Sequence, residues 1–206
     1  MTSSPTSLPV SLDITAIRTG NQKNLSEAML AGQDLSGADL EAVNLAKANL
    51  AGANLAGANL RQSNLRCNLR GANLGGADLM GADLRNAELQ GSTFIEARFQ
   101  NTSFAGAFMA GVNLSQADLT GSDFRGADLR GADLREAKLE QVDFSNANLA
   151  GANLSDANLE EAILNGAIVR GTNFTGANLL CVEGEGVAWE GACLDGAASA
   201  GSILDT

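Results

Sequence analysis

Residues 35–60 read LSGADLEAVNLAKANLAGANLAGANL, a stretch in which a leucine returns at every fifth position. The same rhythm starts at Leu25, slips by one residue between Leu65 and Leu69, and continues to Leu179. Two residues before each central leucine, or the residue that replaces it, lies a small residue, usually alanine, and Asn or Asp usually stands between them. The series comprises 32 consecutive units of the form Ala-(Asp/Asn)-Leu-x-x, so an internal repeat determines the fold.

A period of five fits neither the helical nor the flat-strand geometry of a polypeptide. In an α-helix the leucines would spread around the whole circumference, and in a flat strand alternate leucines would face opposite sides. A coil that turns once in every unit places the leucine and the small residue inside each time. The pattern therefore predicts a solenoid in which backbone hydrogen bonds join stacked coils.

Two series of residues indicate that four units complete one coil. Phe104, Phe124 and Phe144 recur at a spacing of twenty, which would stack their rings on successive coils. The last residue of every fourth unit is glycine throughout: Gly32, Gly52, Gly71, Gly91, Gly111, Gly131, Gly151 and Gly171. Because glycine adopts positive φ without steric cost, this edge of the coil is expected to turn through that conformation.

The repeat resembles that of the pentapeptide-repeat family, and the resemblance covers residues 25–179 almost without a gap. It implies an all-β fold, a right-handed quadrilateral β-helix of about eight to nine coils, with a short N-terminal helical cap. The expected organisation is a disordered tail and short cap over residues 1–24, the solenoid over residues 25–180, and a degenerate final coil over residues 181–206. The expected structural core includes Leu45, Leu50, Leu119, Leu149, Phe104, Phe124 and Phe144.

The two ends of the chain depart from the repeat. Residues 1–12 are rich in Ser, Thr and Pro and are expected to be disordered. Residues 13–19 are compatible with a short helix that Gly20 ends. Beyond Leu179 the pattern degrades, and Trp189 occupies a central position that it is too large to fill. We expect Trp189 to cap the open end of the core, with a C-terminal dimer contact, as in some family members, as the alternative.

The slip at Arg66-Cys67-Asn68 removes one outward residue from the repeat. Cys67 then takes the inward position that alanine holds elsewhere. We interpret the slip as a tolerated deletion with a local bulge, and a kink that shapes a binding surface is the alternative.

Composition narrows the class of protein. The formal net charge is -11, which disfavours nonspecific binding to nucleic acid or anionic lipid, and histidine, the commonest general base and metal ligand, is absent. Cys67, Cys181 and Cys193 form no disulfide framework, which favours a reducing compartment. With neither a signal-peptide pattern nor an apolar membrane span in the sequence, we expect a cytoplasmic protein without membrane association.

Outward residues can be compared at a spacing of twenty. One series alternates Asp78, Arg98, Asp118 and Lys138 and predicts a ladder of ion pairs between coils. Another places Asp123 over Asp143, a like-charge pair without an evident counter-ion. Arginines repeat at the same spacing, in the sets Arg66, Arg85, Arg125 and Arg70, Arg130, Arg170. Apolar residues stand at outward positions where Asn or Asp is usual at Met29, Phe108 and Ile168.

These features favour binding over catalysis. No pattern of catalytic, cofactor-binding or metal-ligating residues occurs, because solvated carboxylates without a pocket are poor acids or bases and two cysteines do not complete a zinc site. The expected function is a non-catalytic module that binds an unidentified protein partner, as a monomer or a C-terminal homodimer. The alternative that the resemblance offers is an acidic mimic of DNA that binds DNA gyrase and protects it from quinolones. The alternating charges and the arginine series weigh against the mimic, which needs a continuous negative face.

Overall fold

Parallel pairing between residues twenty positions apart builds the architecture. In the computed structural model, which describes residues 12–202, such bridges join Asn44 to Asn64 and Asn153 to Asn173, and equivalent pairs follow all four sides of the coil. A spacing of twenty is four units, so the register itself gives the number of sides. The predicted quadrilateral β-helix is confirmed. Its strands are isolated bridge residues, and the described chain has one helix, α1 (Ile14–Arg18).

The one-residue slip is absorbed within a single coil. Bridges that span it join residues nineteen positions apart, as in Asn49↔Asn68 and Asn64↔Asp83, and the spacing of twenty returns with Asn68↔Glu88. The Cys67 side chain is 6% exposed and takes the place of an inward alanine. Its N–H donates to the Leu65 carbonyl at 2.7 Å, which closes the shortened corner.

The interior is a stack of central leucines with small residues beside them. Phe104, Phe124 and Phe144 are fully buried, and their rings stack at centroid distances of 4.7 and 5.2 Å. The four leucines named as core from the sequence are also fully buried: Leu45, Leu50, Leu119 and Leu149. Where Ser or Thr replaces the inward alanine, its hydroxyl donates to a backbone carbonyl, as from Thr172 to Leu149 at 2.7 Å, so no hydroxyl is buried unpaired there.

Positive φ is not confined to the glycine edge. Gly131 has φ 64°, but Glu136, Gln141 and Asn146, at the next three corners, have φ 57°, 58° and 59°. The turn conformation is therefore the same at all four edges. The run of glycine on one edge is not explained by its φ alone, and a Cβ added at Gly131 would meet nothing within 4 Å.

Helix α1 closes the N-terminal end of the solenoid. Asp13 caps it by accepting hydrogen bonds from the Thr15 and Ala16 N–H groups, and the Ile17 side chain is fully buried in the core. The Arg18 carbonyl accepts the Asp39 N–H at 2.9 Å and continues the ladder of the first coil. The predicted helical cap is confirmed, whereas the expected disorder of residues 1–12 concerns residues that, apart from Leu12, lie outside the described part.

The ninth coil is paired on only part of its circumference. Bridges join Asn173 to Cys193 and Asn178 to Ala198, but Ala188 has no bridge to the coil before it within residues 12–202. Trp189, next to that interruption, is half-buried and contacts the ring of Phe174 at a centroid distance of 5.6 Å. The indole is larger than the leucine it replaces, which accounts for the displaced coil. Its role as a cap stays a prediction.

Candidate interaction surface

Four aspartates at bridge positions hold an arginine two residues further along the chain. In each case the guanidinium Nε and Nη2 donate to both carboxylate oxygens at 2.6 to 2.9 Å, in the pairs Asp83–Arg85, Asp123–Arg125, Asp128–Arg130 and Asp133–Arg135. These hydrogen bonds hold the pKa of each carboxyl below its ordinary value, against the opposing effect of partial burial. The pairs are formed within one unit, so each of these four aspartates is neutralised locally.

The predicted ladder of ion pairs forms only at its first step. Arg98 Nη1 lies 3.2 Å from an oxygen of Asp78, but within residues 12–202 neither Asp118 nor Lys138 forms an ion pair. Asp118 instead accepts hydrogen bonds from the Gln100 amide at 2.9 Å and the Thr120 hydroxyl at 2.8 Å. The prediction was wrong beyond Arg98. The coil that carries Arg98 is separated from the coil that carries Asp118, and Lys138, although its residue is bridged to Asp118, forms no ion pair with it.

The expected repulsion between Asp123 and Asp143 is also wrong. Arg125 binds Asp123 and its Nε lies 3.6 Å from Asp143, so one guanidinium serves both carboxylates. A comparison at a spacing of twenty considers only neighbours on successive coils. It therefore does not predict the pairing of Arg125 with Asp123, which belong to the same unit.

Unpaired carboxylates concentrate on the remaining side. We call this surface the acidic side, and it comprises Glu96, Asp118, Glu136, Glu140, Asp156, Glu160 and Glu161, at one row of bridge residues and the two bordering edges. In the described part of the chain none of these carboxylates forms an ion pair, although Lys138 lies among them. Neutral side chains bind several of them instead, as Gln116 donates to Glu136 at 3.0 Å and Gln141 to Glu161 at 2.9 Å. This side therefore carries much of the formal charge of -11, and a second acidic group, Glu183, Glu185, Glu190 and Asp195, lies beyond Leu179.

A cleft separates two coils at one end of the acidic side. We call it the inter-coil cleft, and it has a volume of about 470 Å³. Its lining residues are Phe94, Ile95, Glu96, Ala97, Asn113, Leu114, Ser115, Gln116, Ala117 and Asp118. Across it, within residues 12–202, the N–H groups of Phe94, Glu96 and Phe99 lack the short inter-coil hydrogen bonds that equivalent residues make elsewhere, although a bridge still joins Thr93 to Asn113. Asn101 marks the limit of the opening, with a stretched bond of 3.5 Å to Thr120.

Three aromatic rings in one layer account for the cleft. Phe94, Phe99 and Phe104 are consecutive central residues of a single coil, and their rings contact one another at centroid distances of 5.5 and 5.9 Å. A layer sized for leucine cannot hold three such rings without moving the backbone. The coil remains bonded on its N-terminal side, where the Leu74 N–H donates to the Thr93 carbonyl at 2.8 Å, so the displacement falls on the next coil.

The cleft has negative but no positive residues in its lining. Glu96 has no hydrogen bond or ion pair to its carboxylate in the part of the chain that the structure describes. Beside Asp118, the Gln100 amide donates to the carboxylate while its own Oε1 is buried without a donor. Ile95, at the mouth, is 73% exposed, more than the outward Met29, Phe108 and Ile168. The sequence interpretation predicted neither the cleft nor the exposure of Ile95. The signal that could have indicated the cleft is the run of Phe94, Phe99 and Phe104 at a spacing of five.

Among residues 12–202, no group of three or more His, Cys, Asp or Glu residues is placed to hold a metal ion. Within the same range, no helix is both long and apolar enough to cross a membrane. The three cysteines are free, Cys67 buried and the other two exposed.

Comparisons with known proteins agree with this architecture. The family model described as pentapeptide repeats matches residues 24–62, 65–101, 97–135, 127–166 and 143–180. The crystal structure of HetL, from the cyanobacterium Nostoc sp. strain PCC 7120, is similar at 30% identity over 92% of this chain and 91% of that chain, with a TM-score of 0.68. The fluoroquinolone resistance protein QnrB1 is similar at 18% identity over 75% of this chain and 85% of that one, with a TM-score of 0.53. No curated protein matches the chain significantly.

Proposed function

The chain belongs to the pentapeptide-repeat family, and we propose that it works as a protein-interaction module that binds its partner through the acidic side. The observation that carries the proposal is the difference in charge pairing between the acidic side and the other sides. Four aspartates on other sides are neutralised by arginines of the same unit, whereas the carboxylates from Glu96 to Glu161 on the acidic side form no ion pair in the described residues.

A surface of this kind supports binding for electrostatic reasons. Unpaired charges on one side create a directional field that accelerates association with a basic surface and excludes acidic ones. The solenoid holds these carboxylates on a rigid backbone, so little conformational freedom is lost on binding. The partner is therefore expected to be a protein with a basic patch. HetL is described as involved in the regulation of heterocyst differentiation, which supports a regulatory role as part of the proposal.

Charge-neutralising variants test the proposal. Glu136, Glu140 and Glu160 would be replaced by glutamine together, and the protein would be used with its wild type to capture partners from a lysate of the source organism. The matched control replaces Asp128 and Arg130 by Asn and Gln, which changes exposed charged residues without changing the net charge. We expect the acidic-side variant to lose captured proteins that the control retains. Identical capture by both variants would refute the role of the acidic side.

Mimicry of DNA is the second candidate, and the acidic side is the observation in its favour. The unpaired carboxylates form no continuous stripe, however, because Arg61, Arg98 and Lys138 lie on this side between Asp39 and Glu161. A gyrase supercoiling assay with and without a quinolone distinguishes the two functions. Inhibition or drug protection at micromolar protein would favour mimicry, and unchanged supercoiling would remove it.

The location and assembly of the protein complete the proposal. Three free cysteines are consistent with the reducing environment of the cytoplasm. A monomer or a homodimer joined at the Trp189 end remains our expectation, which light scattering of the wild type and of Trp189→Ala tests.

A further inference from the structure

The inter-coil cleft is where solvent reaches the interior of the solenoid. Ala97 and Ala117 are only partly buried, whereas the inward small residues from Ala38 to Val182 are otherwise buried. Beneath them, Phe94 and Leu114 are 4% and 1% exposed and form an apolar floor. A volume of about 470 Å³ lies within the range of sites that enclose small groups. The cleft therefore has the size and the floor of a binding site.

The polar lining selects a cation. Separation of the coils releases backbone N–H and C=O groups in equal numbers, so the backbone alone favours neither donors nor acceptors. The carboxylates of Glu96 and Asp118 add acceptors and negative charge, and no Lys or Arg lines the cleft. An anion would be repelled by two carboxylates, and a neutral apolar group would cover the Glu96 carboxylate without offering it a partner, at a cost in desolvation.

The lining of the cleft distinguishes between the two biological cations. A guanidinium is planar, weakly hydrated and carries five donors, which suits a lining of carboxylates and carbonyls such as that of Ser115. An ammonium is a compact, strongly hydrated charge that gains less from an apolar floor. The exposed side chain of Ile95 at the mouth offers contact to the chain that carries the guanidinium.

We propose that the inter-coil cleft receives an arginine side chain of the partner protein, with Glu96 and Asp118 as its counter-ions. This inference rests on the proposed function and specifies the partner's chemistry: an arginine on an accessible loop or terminus, next to an apolar residue that packs on Ile95. The remainder of the acidic side then contacts the basic patch around that arginine.

The test uses N-acetyl-arginine amide as the probe and NMR of the labelled full chain as the readout. We expect saturable shifts of the backbone amides at residues 94–97 and 113–118, with a dissociation constant on the order of 1 mM, as suits a single side chain. Glu96→Gln and Asp118→Asn should each weaken binding by about tenfold or more, because each removes a counter-ion. Glu27→Gln, at an exposed edge position outside the acidic side, should leave binding unchanged.

Two analogues of the arginine probe test whether the cleft selects a cation and whether it selects a guanidinium. The citrulline analogue has nearly the same shape without charge, and the lysine analogue has charge without the planar group. Equal binding of citrulline would overturn the assignment of a cation site, and equal binding of lysine would overturn the selection of a guanidinium. Shifts centred on Glu136 instead of the cleft, or none at about 10 mM probe, would also overturn it. Partner capture that depends on the acidic side but not on Glu96 and Asp118 would refute the cleft and retain the proposed function.

Discussion

Replacing Phe99 by leucine tests whether the crowded aromatic layer causes the inter-coil cleft. In the wild type the N–H groups of Phe94 and Glu96 lack the short hydrogen bond across the cleft, in the part of the chain that the structure describes, although a bridge still joins Thr93 to Asn113. One coil further along, the equivalent Leu114 and Gln116 N–H groups both donate at 2.8 Å. Leucine is the residue of the same column in the coils before and after, so Phe99→Leu should let the two coils close.

Amide hydrogen exchange measures how much less the amides at the cleft are protected than paired amides. Paired amides in the middle of a solenoid open only with local or global unfolding, and an opening free energy of about 5 kcal/mol slows exchange by more than about 10³-fold. We therefore expect Phe94 and Glu96 to exchange about three orders of magnitude faster than Leu114 and Gln116 in the wild type. In Phe99→Leu that difference should disappear.

Stability supplies a second readout with a matched control. A swap of similar hydrophobic volume usually costs less than about 1.5 kcal/mol, and each restored hydrogen bond contributes about 1 kcal/mol, so Phe99→Leu should unfold no more easily than the wild type. Phe124→Leu removes a ring stacked between Phe104 and Phe144 in an intact ladder, and it should lower the free energy of unfolding without altering exchange at the cleft. Wild-type protection of Phe94 equal to that of Leu114, or an open cleft in Phe99→Leu, would refute this explanation.

Three further predictions concern single residues elsewhere on the coil. Burial raises the pKa of the Cys67 thiol to about 12, so at about pH 8 a thiol reagent should modify it roughly 10³-fold more slowly than the exposed Cys181 and Cys193, and all three at equal rates in denaturant. Gly131→Ala should lower the free energy of unfolding by roughly 1 kcal/mol in a urea titration, because its φ of 64° is costly for alanine while the added Cβ meets no neighbour. The hydrogen bond from its arginine partner lowers the pKa of Asp123, and the stabilisation is present above about pH 4 and lost as the pH falls through the folded-state pKa. The destabilisation caused by Asp123→Asn should therefore be largest at neutral pH and shrink below about pH 4, and an unchanged difference across that range would contradict the assignment.

The repeat determines the fold because its period acts on every coil alike. Central residues at a spacing of five predict which side chains lie inside, and the spacing of twenty gives the register, which the bridge Asn44↔Asn64 confirms. A single slip leaves that register intact, since Cys67 simply replaces one inward alanine. Whether a side chain lies inside can therefore be predicted from its position in the repeat alone.

The surface was harder to predict because it depends on competition between neighbours. Arg125 can bind Asp123 within its own unit or a carboxylate of an adjacent coil, and the nearer partner is bound by two hydrogen bonds. The cleft depends on Phe94, Phe99 and Phe104 together, since each ring alone resembles Phe124, which fits its layer without disturbance. Comparison between coils therefore predicts the scaffold, and comparison within one coil is needed to predict where it opens.

The cleft also affects how stability is distributed along the solenoid. In a repeat protein the stability is close to a sum of terms from each coil and from each interface between adjacent coils. The interface between the coil of Phe99 and the coil of Leu119 lacks hydrogen bonds that its neighbours possess, so it is the weakest of the described interfaces within the regular repeat. Binding that fills the cleft would add contacts at that interface and nowhere else. A partner that inserts a side chain there would therefore hold the two halves of the rod together, and its affinity would be coupled to the order of the whole acidic side.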